Sequence, residues 1–182
     1  MRLSAKEITI FGIFAALMYV AQVVMSFIPN VHPTGVFIIT LSVLWRWKAL
    51  WPVMTYVLIN GIFNGFAIWW LPYIYIWPLL VAVTSIYMTH EYIKSSLHPK
   101  SFNEKRMFFN LVCINAAHGF LYGTLYALAY GPIMRMDFSE IIAWIVAGLP
   151  YDAIHGCSNF ILGFLILPLC KATIAASGYN HD

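Results

Sequence analysis

Three polar side chains stand at helical spacing inside an apolar stretch, residues 148–160 (GLPYDAIHGCSNF). Asp152, His155 and Asn159 are three and four residues apart, so in a helix they project from one side. A carboxylate, an imidazole and an amide are costly in hydrocarbon unless each meets a polar partner or a water-lined cavity. We therefore expect these three residues, the polar stripe, to face a solute and bond its polar groups.

Other polar residues in apolar stretches could complete a binding site with the polar stripe. Asn115, His118 and Tyr122 repeat at helical spacing, and Asn60 and Asn64 are four residues apart. If both sets point toward the polar stripe, hydrogen-bonding groups from three segments converge on one bowl. The structural alternative is that these residues only bond neighbouring helices to one another.

An uncharged aromatic turn offers flat apolar surface to the same bowl. Trp69, Trp70, Tyr73 and Trp77 lie close together in the sequence, and such side chains would form a wall or lid around a solute. Tryptophan and tyrosine are also common at membrane surfaces, where they anchor a protein. Both interpretations stay open for each of the four residues.

Asp152 has a structural interpretation as well. Its carboxylate could bond His155, one turn along the same helix, or His118 on another segment. Either pair would lock helix ends together and would need no solute. A second use of a histidine, as a ligand to the metal of a bound solute, is also left open.

The sequence lacks the motifs of common catalytic sites. It contains no GxxxxGK[ST] loop for ATP, no HExxH pair for zinc and no GxSxG turn around a serine. Its cysteines, Cys113, Cys157 and Cys170, lie in apolar segments without the spacing of a metal clamp. We therefore expect a protein that is not an enzyme and holds neither a metal nor a resident cofactor.

The composition indicates an integral membrane protein. The 182 residues are 62% hydrophobic and 9% charged, with a mean hydropathy of +0.78, whereas soluble domains are about 45–50% apolar and about 25% charged. No linker or low-complexity stretch divides the chain. We predict one all-α domain over residues 1–182 that lies in a lipid bilayer and does not bind nucleic acid.

Apolar segments separated by turns predict six transmembrane helices, since a spanning helix needs roughly 20 apolar residues. The predicted segments are 7–28, 34–45, 49–68, 74–92, 107–130 and 149–170. Segment 34–45 is short for a span. Residues 138–147 are expected to form a short surface helix, separated from the last span by a break at 148–150. Residues 131–132 (Gly-Pro) are expected to end the fifth span.

Nine of the ten basic residues fall on one side of this predicted bundle, which marks the cytoplasmic side. They are Arg2, Lys6, Arg46, Lys48, Lys94, Lys100, Lys105, Arg106 and Lys171. Only Arg135 lies opposite. Both termini should then be cytoplasmic, and the ligand cavity should face outward, with Asp152 at the outer end of the last span.

Small residues form a patch on the first segment. Gly12 and Ala16 are four residues apart and Ala15 is adjacent, a spacing that lets another helix approach closely. The patch could pack inside the bundle or could dock a second protein.

Three stretches carry a resemblance to a known family. They are EITIFGIFAAL at 7–17, NGIFNGFAIWW at 60–70 and, most specific, the 148–160 stretch quoted above. The chain resembles the S-components, the substrate-binding membrane subunits of energy-coupling factor (ECF) vitamin transporters. Within that family it looks most like the cobalamin-specific members.

The resemblance implies a function and partners. S-components bind a vitamin near the outer face of the bacterial cell membrane and work with a membrane coupling subunit and two cytoplasmic ATPases. The chain would capture cobalamin through the polar and aromatic residues named above and deliver it inward. Gly12, Ala15 and Ala16 would dock on the coupling subunit, as a variant of the family's Ala-xxx-Ala patch.

Three alternatives remain beside cobalamin capture. The cargo could be folate, pantothenate, riboflavin or a queuosine precursor, although Arg135 as the one outer basic residue disfavours anionic vitamins. A stand-alone small permease would move its solute without ATPases. An intramembrane enzyme would depend on His155.

Overall fold

The computed structural model describes residues 2–31, 33–97 and 103–177, and all regular secondary structure in these ranges is helical. Two short 3-10 turns, Arg46–Ala49 and Ile68–Trp70, lie between longer helices. The α-helices are α1 (Ala5–Met25), α2 (Thr34–Trp45), α3 (Leu50–Asn64), α4 (Tyr73–Leu97), α5 (Glu104–Phe120), α6 (Tyr122–Ile133), α7 (Phe138–Gly163) and α8 (Ile166–Ser177).

Five helical stretches within these ranges are long and apolar enough to cross a membrane. They are Ala5–Met25, Thr34–Asn64, Ile68–Leu97, Glu104–Ile133 and Phe138–Gly163. The all-helical expectation is thus confirmed for the described residues, and the length and composition of these five stretches are compatible with a protein that spans a membrane several times. Lys100, one of the basic residues used to orient the chain, lies outside the described residues.

The stretch Thr34–Asn64 reverses direction within itself. The Phe11 ring packs edge-on against Trp45 at 5.5 Å, and Phe14 packs against Phe37 at 6.2 Å, so α2 runs antiparallel to α1. The chain then turns at Arg46, whose φ of 51° lies in the left-handed region. This turn separates α2 from α3, as the sequence predicts.

Contacts of α3 and of the turn before it show that α3 runs parallel to α1. The Lys48 ammonium bonds the Glu7 carboxylate at 2.6 Å near the start of both helices. Farther along, the Tyr56 hydroxyl donates to the Gln22 side chain at 2.5 Å. We call the end with Arg46 and Lys48 the basic end, and the end with the turn Ile68–Trp70 the aromatic end.

The remaining helices continue this alternation. Arg106 at the start of α5 lies 3.5 Å from Glu91 near the end of α4, so these helices are antiparallel. Trp144 near the start of α7 packs on Tyr126 of α6, and Phe164 just after α7 packs on Phe108 near the start of α5, so α7 runs antiparallel to α5 and α6. The described residues therefore make six passes along the bundle, with α5–α6 and α7–α8 each forming one interrupted pass.

The short helix α2 lies in the middle of the bundle. Almost all of its residues are buried, and it packs on α1, α4 and α8. At about 1.5 Å per residue its 12 residues are about 18 Å long, shorter than the roughly 30 Å hydrocarbon layer. A helix that is apolar all round and enclosed by others does not have to reach both membrane surfaces.

The predicted break at residues 148–150 is wrong, because α7 continues through Pro150. The helix begins at a capping box in which Asp137 and Glu140 bond each other's backbone N–H groups at 2.8 Å. Bonds from Ser139 and Glu140 hold the pKa of Asp137 below its usual value. Proline interrupts membrane helices less than soluble ones, because neighbouring helices can satisfy the freed carbonyl.

This longer helix corrects two further expectations. Residues 138–147 are the first turns of α7 and do not form a separate surface helix. Asp152 lies roughly 21 Å along α7 from Phe138, at about 1.5 Å per residue, so it is not at the start of the last pass. The fifth pass ends at Ile133, one residue beyond the predicted end at Gly131-Pro132, and it is interrupted at Leu121, which the sequence did not predict.

Glycines allow α5 and α7 to approach each other closely. A methyl group at Gly119 would lie 2.9 Å from the backbone N and Cα of Gly156 and 2.8 Å from the Asn159 amide nitrogen. A methyl group at Gly163 would lie 3.0 Å from Val112. The two backbones are therefore nearly in contact, and backbone atoms cannot move aside as a flexible side-chain tip can.

Gly119→Ala should destabilise the protein. Overpacking a tight contact costs about 1–3 kcal/mol, and about 2–4 °C of midpoint is lost per kcal/mol at this chain length. We expect a lower midpoint of thermal unfolding in detergent. Gly148→Ala is the matched control, because a methyl group there has no neighbour within 4 Å. Equal midpoints for the two variants would contradict the close approach.

Candidate functional site

A cavity of about 570 Å³ lies at the aromatic end, between α6, the first half of α7 and the turn Ile68–Trp70. Small-molecule sites typically enclose about 300–1,000 Å³. Its walls are mostly aromatic, and we call it the aromatic cavity. The lining residues are Asn30, Trp69, Tyr122, Gly123, Tyr126, Tyr130, Trp144, Ala147, Gly148, Tyr151 and Asp152.

Facing stripes of aromatic residues on two helices form the main wall. Tyr122, Tyr126 and Tyr130 recur every four residues along one face of α6. Trp144 of α7 stacks on Tyr126 with ring centroids 5.9 Å apart and an interplanar angle of 13°, and it lies 5.8 Å from Tyr130. Continuity of α7 through Pro150 is what places Trp144 opposite these tyrosines.

Two tyrosine hydroxyls hold this wall against the rest of the bundle. The Tyr126 hydroxyl donates to the Trp69 carbonyl at 3.1 Å, which ties the turn Ile68–Trp70 to α6. The Tyr75 hydroxyl of α4 donates to the Leu125 carbonyl. The cavity wall is therefore anchored to two separate parts of the fold.

Asp152 forms the polar end of the cavity and also caps a helix. The interruption at Leu121 begins α6 anew, and Leu121 provides no side-chain cap. Asp152 of α7 supplies one instead: its Oδ1 accepts a bond from the Gly123 N–H at 2.9 Å. A carboxylate is favourable there, because the first N–H groups of a helix lack intrahelical partners and carry partial positive charge.

The rest of the polar stripe lies beyond Asp152, between α5 and α7. The Asn115 side chain donates to the Asn159 carbonyl at 2.7 Å, and the Asn159 side chain donates to the Asn115 carbonyl at 3.2 Å. His155 packs against the Tyr122 ring with centroids 4.9 Å apart. All three are buried, and none is among the residues that line the aromatic cavity.

Other predicted site residues lie close to this contact between α5 and α7 without lining the cavity. The His118 Nε2 lies 3.2 Å from the Ile76 carbonyl, and the His118 ring packs on Trp77 at 5.4 Å. Trp77 is itself buried and contacts Tyr122 at 5.6 Å. Tyr73 packs on Trp77 in turn, at 5.8 Å. These residues therefore support the cavity from behind.

The remaining predicted residues bond within their own part of the fold. Asn60 is fully buried, and its amide donates to the Tyr56 carbonyl one turn back at 3.3 Å. The Asn64 amide donates to the Asn60 side chain at 3.4 Å. The Trp70 indole donates to the Val57 carbonyl at 2.7 Å. Of the twelve predicted binding residues, Asp152, Tyr122 and Trp69 line the aromatic cavity.

Sequence reasoning missed most of the aromatic wall. Tyr126 and Tyr130 extend the spacing of Tyr122 by four and eight residues, a periodic signal that was readable. Trp144 was missed because the break expected at residues 148–150 assigned it to a surface helix, and Tyr151 beside Asp152 was missed as well.

The small-residue patch of α1 is divided between two faces. Ala15 is fully buried in the core, whereas Gly12 and Ala16 lie on the exposed face. That face also carries Ile13 and Val20, both more than half exposed. Among the described residues, no group of three His, Cys, Asp or Glu side chains lies close enough together to hold a metal ion.

Comparison with known proteins finds no match to this chain. No family model matches the chain, and neither a curated protein nor a solved structure matches it. The resemblance to S-components therefore rests on the sequence stretches that carry it.

Asp152→Ala should destabilise the protein more than Asp152→Asn. Alanine removes the acceptor for the Gly123 N–H, and losing a helix N-cap typically costs about 0.5–2 kcal/mol. Asparagine keeps an oxygen in the same place. We expect the thermal midpoint to fall for alanine and to change little for asparagine. If both variants unfold at the wild-type midpoint, Asp152 does not hold α6 in place.

Proposed function

We propose that this chain is the solute-capturing subunit of a transporter of the ECF type, and that the aromatic cavity is its capture site. The observation that carries the proposal is the combination of a concave, aromatic-lined cavity with one inward carboxylate at the end of a bundle of apolar helices. Ligand sites are usually such apolar clefts with a few fixed polar groups.

Under this proposal the bundle is oriented in a bacterial cell membrane with its basic end and both termini in the cytoplasm. The aromatic end would face outward and meet the solute. A membrane coupling subunit and two ATPases would supply the energy, since the sequence contains no phosphate-binding loop of its own. The exposed side of α1, with Gly12 and Ala16, would meet the coupling subunit.

Cobalamin is the cargo that the resemblance implies, and the volume of the cavity limits how it could bind. Cobalamin is a large corrin with amide side arms, and a space of about 570 Å³ suits smaller solutes. Cobalamin would therefore insert only part of its surface, or the turn Ile68–Trp70 would have to move. A smaller vitamin is the second candidate, favoured by the cavity volume.

Under this proposal the residues of the site and of its support have two different roles. Trp69, Trp144 and Tyr126 would stack on the solute, and Asp152 would bond its polar group. Asn115 and Asn159 would keep α5 and α7 at a fixed separation, and His155 would hold α7 against Tyr122 of α6, so the cavity would be formed before the solute arrives. Preformed sites bind more tightly because less ordering is needed on binding.

Binding of a vitamin panel by purified protein tests the capture site. We expect Trp144→Leu to weaken binding of whichever vitamin is captured by about tenfold or more, as for an aromatic contact at the centre of a site. Trp51→Leu is the matched control, since Trp51 is half exposed on α3 and does not line the cavity. Calorimetry on both variants gives the comparison.

The panel also separates the candidates. Absence of cobalamin binding beside binding of a smaller vitamin would remove cobalamin as the cargo. Uptake in cells that lack ATPase partners would favour a stand-alone permease. Equal affinity in wild type and Trp144→Leu would place the capture site elsewhere.

A further inference from the structure

We propose that the solute of the aromatic cavity is a compact organic cation, held between the Asp152 carboxylate and the aromatic faces of α6 and α7. This inference rests on the proposed capture function and specifies the chemical class of the solute. Three features of the cavity carry it: the charge of its lining, the unused oxygen of Asp152 and the arrangement of its aromatic rings.

The charge of the lining is one-sided. Asp152 is the one carboxylate among the described lining residues, and these residues include no lysine, arginine or histidine. A charge in a low-dielectric cleft acts strongly, because little water screens it. The lining therefore attracts cations and repels anions.

Asp152 is short of hydrogen-bond partners. Its side chain is buried, with the residue only 6% exposed, and Oδ1 accepts the bond from Gly123. Among the described residues, nothing donates to Oδ2. A buried carboxylate needs more than one donor to offset its lost hydration. Oδ2 has almost no exposed surface of its own, so a cation in the adjoining cavity would satisfy it once the carboxyl group turns toward the cavity.

The aromatic rings suit a cation that is organic. Trp144, Tyr126 and Tyr130 form a compact cluster beside the cavity, with all three centroid distances below 6 Å. The faces of such rings attract ammonium groups and contact apolar carbon at the same time. The Tyr126 hydroxyl is already bonded to Trp69, which leaves mainly the ring for a solute.

An inorganic cation fits the same lining poorly. Calcium and magnesium require about six or more oxygen ligands, and the lining supplies few beside the Asp152 carboxylate. A neutral solute could donate to Oδ2 but would gain less from the ring faces. A compact cation with apolar carbon around its charge uses both kinds of group.

The test compares probes of one shape and three charges. Choline, dimethylbutanol, in which carbon replaces the charged nitrogen, and dimethylbutanoate would be titrated into purified protein in lipid nanodiscs, with tetramethylammonium and benzyltrimethylammonium beside them. We expect at least one quaternary ammonium to bind, and choline to bind about tenfold or more tightly than dimethylbutanol. Dimethylbutanoate should not compete.

Variants assign the preference to the proposed groups. Asp152→Asn keeps an acceptor for Gly123 and removes the charge, so the preference for choline over dimethylbutanol should fall to about one. Tyr126→Leu should weaken binding of every ammonium probe. Asp137→Asn, at the start of the same helix and outside the lining, should change neither result.

The outcomes distinguish this inference from the function on which it rests. The inference is overturned if no ammonium probe binds, if dimethylbutanol binds as tightly as choline, or if Asp152→Asn keeps the preference. If a neutral vitamin then binds and Trp144→Leu weakens it, the capture function stands without the cation. If ammonium probes bind but no ATPase-dependent uptake occurs, the cation site stands and the transport function fails.

Discussion

The bond between the Asp152 carboxylate and the Gly123 N–H joins the two halves of the site. The fifth pass is interrupted at Leu121, and an interruption inside an apolar bundle leaves N–H groups without intrahelical partners. No water is at hand in hydrocarbon to satisfy them, so another helix must do so. Asp152 does this from α7, and the same residue then lies at the wall of the aromatic cavity.

That bond is possible only because α5 and α7 approach closely. A methyl group at Gly123 would lie 2.6 Å from Asp152, and one at Gly119 would meet the backbone of Gly156. The reciprocal amide bonds of Asn115 and Asn159 hold α5 and α7 together about one helical turn closer to the basic end. Small residues and interhelical hydrogen bonds are the usual means of packing helices in a membrane, where the hydrophobic effect gives little help.

Two environments result along a single face of α7. Toward the basic end the face is buried, with Asn159 bonded to Asn115 of α5 and His155 packed on Tyr122 of α6. Toward the aromatic end the helices diverge enough to leave a cavity, and the side chains there are aromatic. Asp152 lies where one environment changes into the other. A rigid contact between α5 and α7 beneath an open cavity would let a solute bind without rearranging the helices that support the cavity.

Much of this arrangement was predictable. The apolar segments predicted the helices, and α2 was predicted at its observed bounds, because long apolar runs between charged or proline-containing turns leave few alternatives. The spacing of the polar stripe correctly placed Asp152, His155 and Asn159 on one face of α7, and the structure shows that this face is buried. The prediction failed at Pro150, because a local rule for proline was applied where packing against α5 and α6 allows the helix to continue.

The sequence by itself determined that the chain is helical and apolar and that α7 carries a polar face, since these follow from composition and from a period of 3.6 residues. Only the tertiary structure decided which polar residues bond each other and which reach the cavity. Asp152 and Asn159 share that face, yet one meets a free helix start and the other meets a second asparagine. That difference depends on the partner helix. The spacing of residues along α7 does not encode where the partner helix is interrupted or how it is aligned with α7.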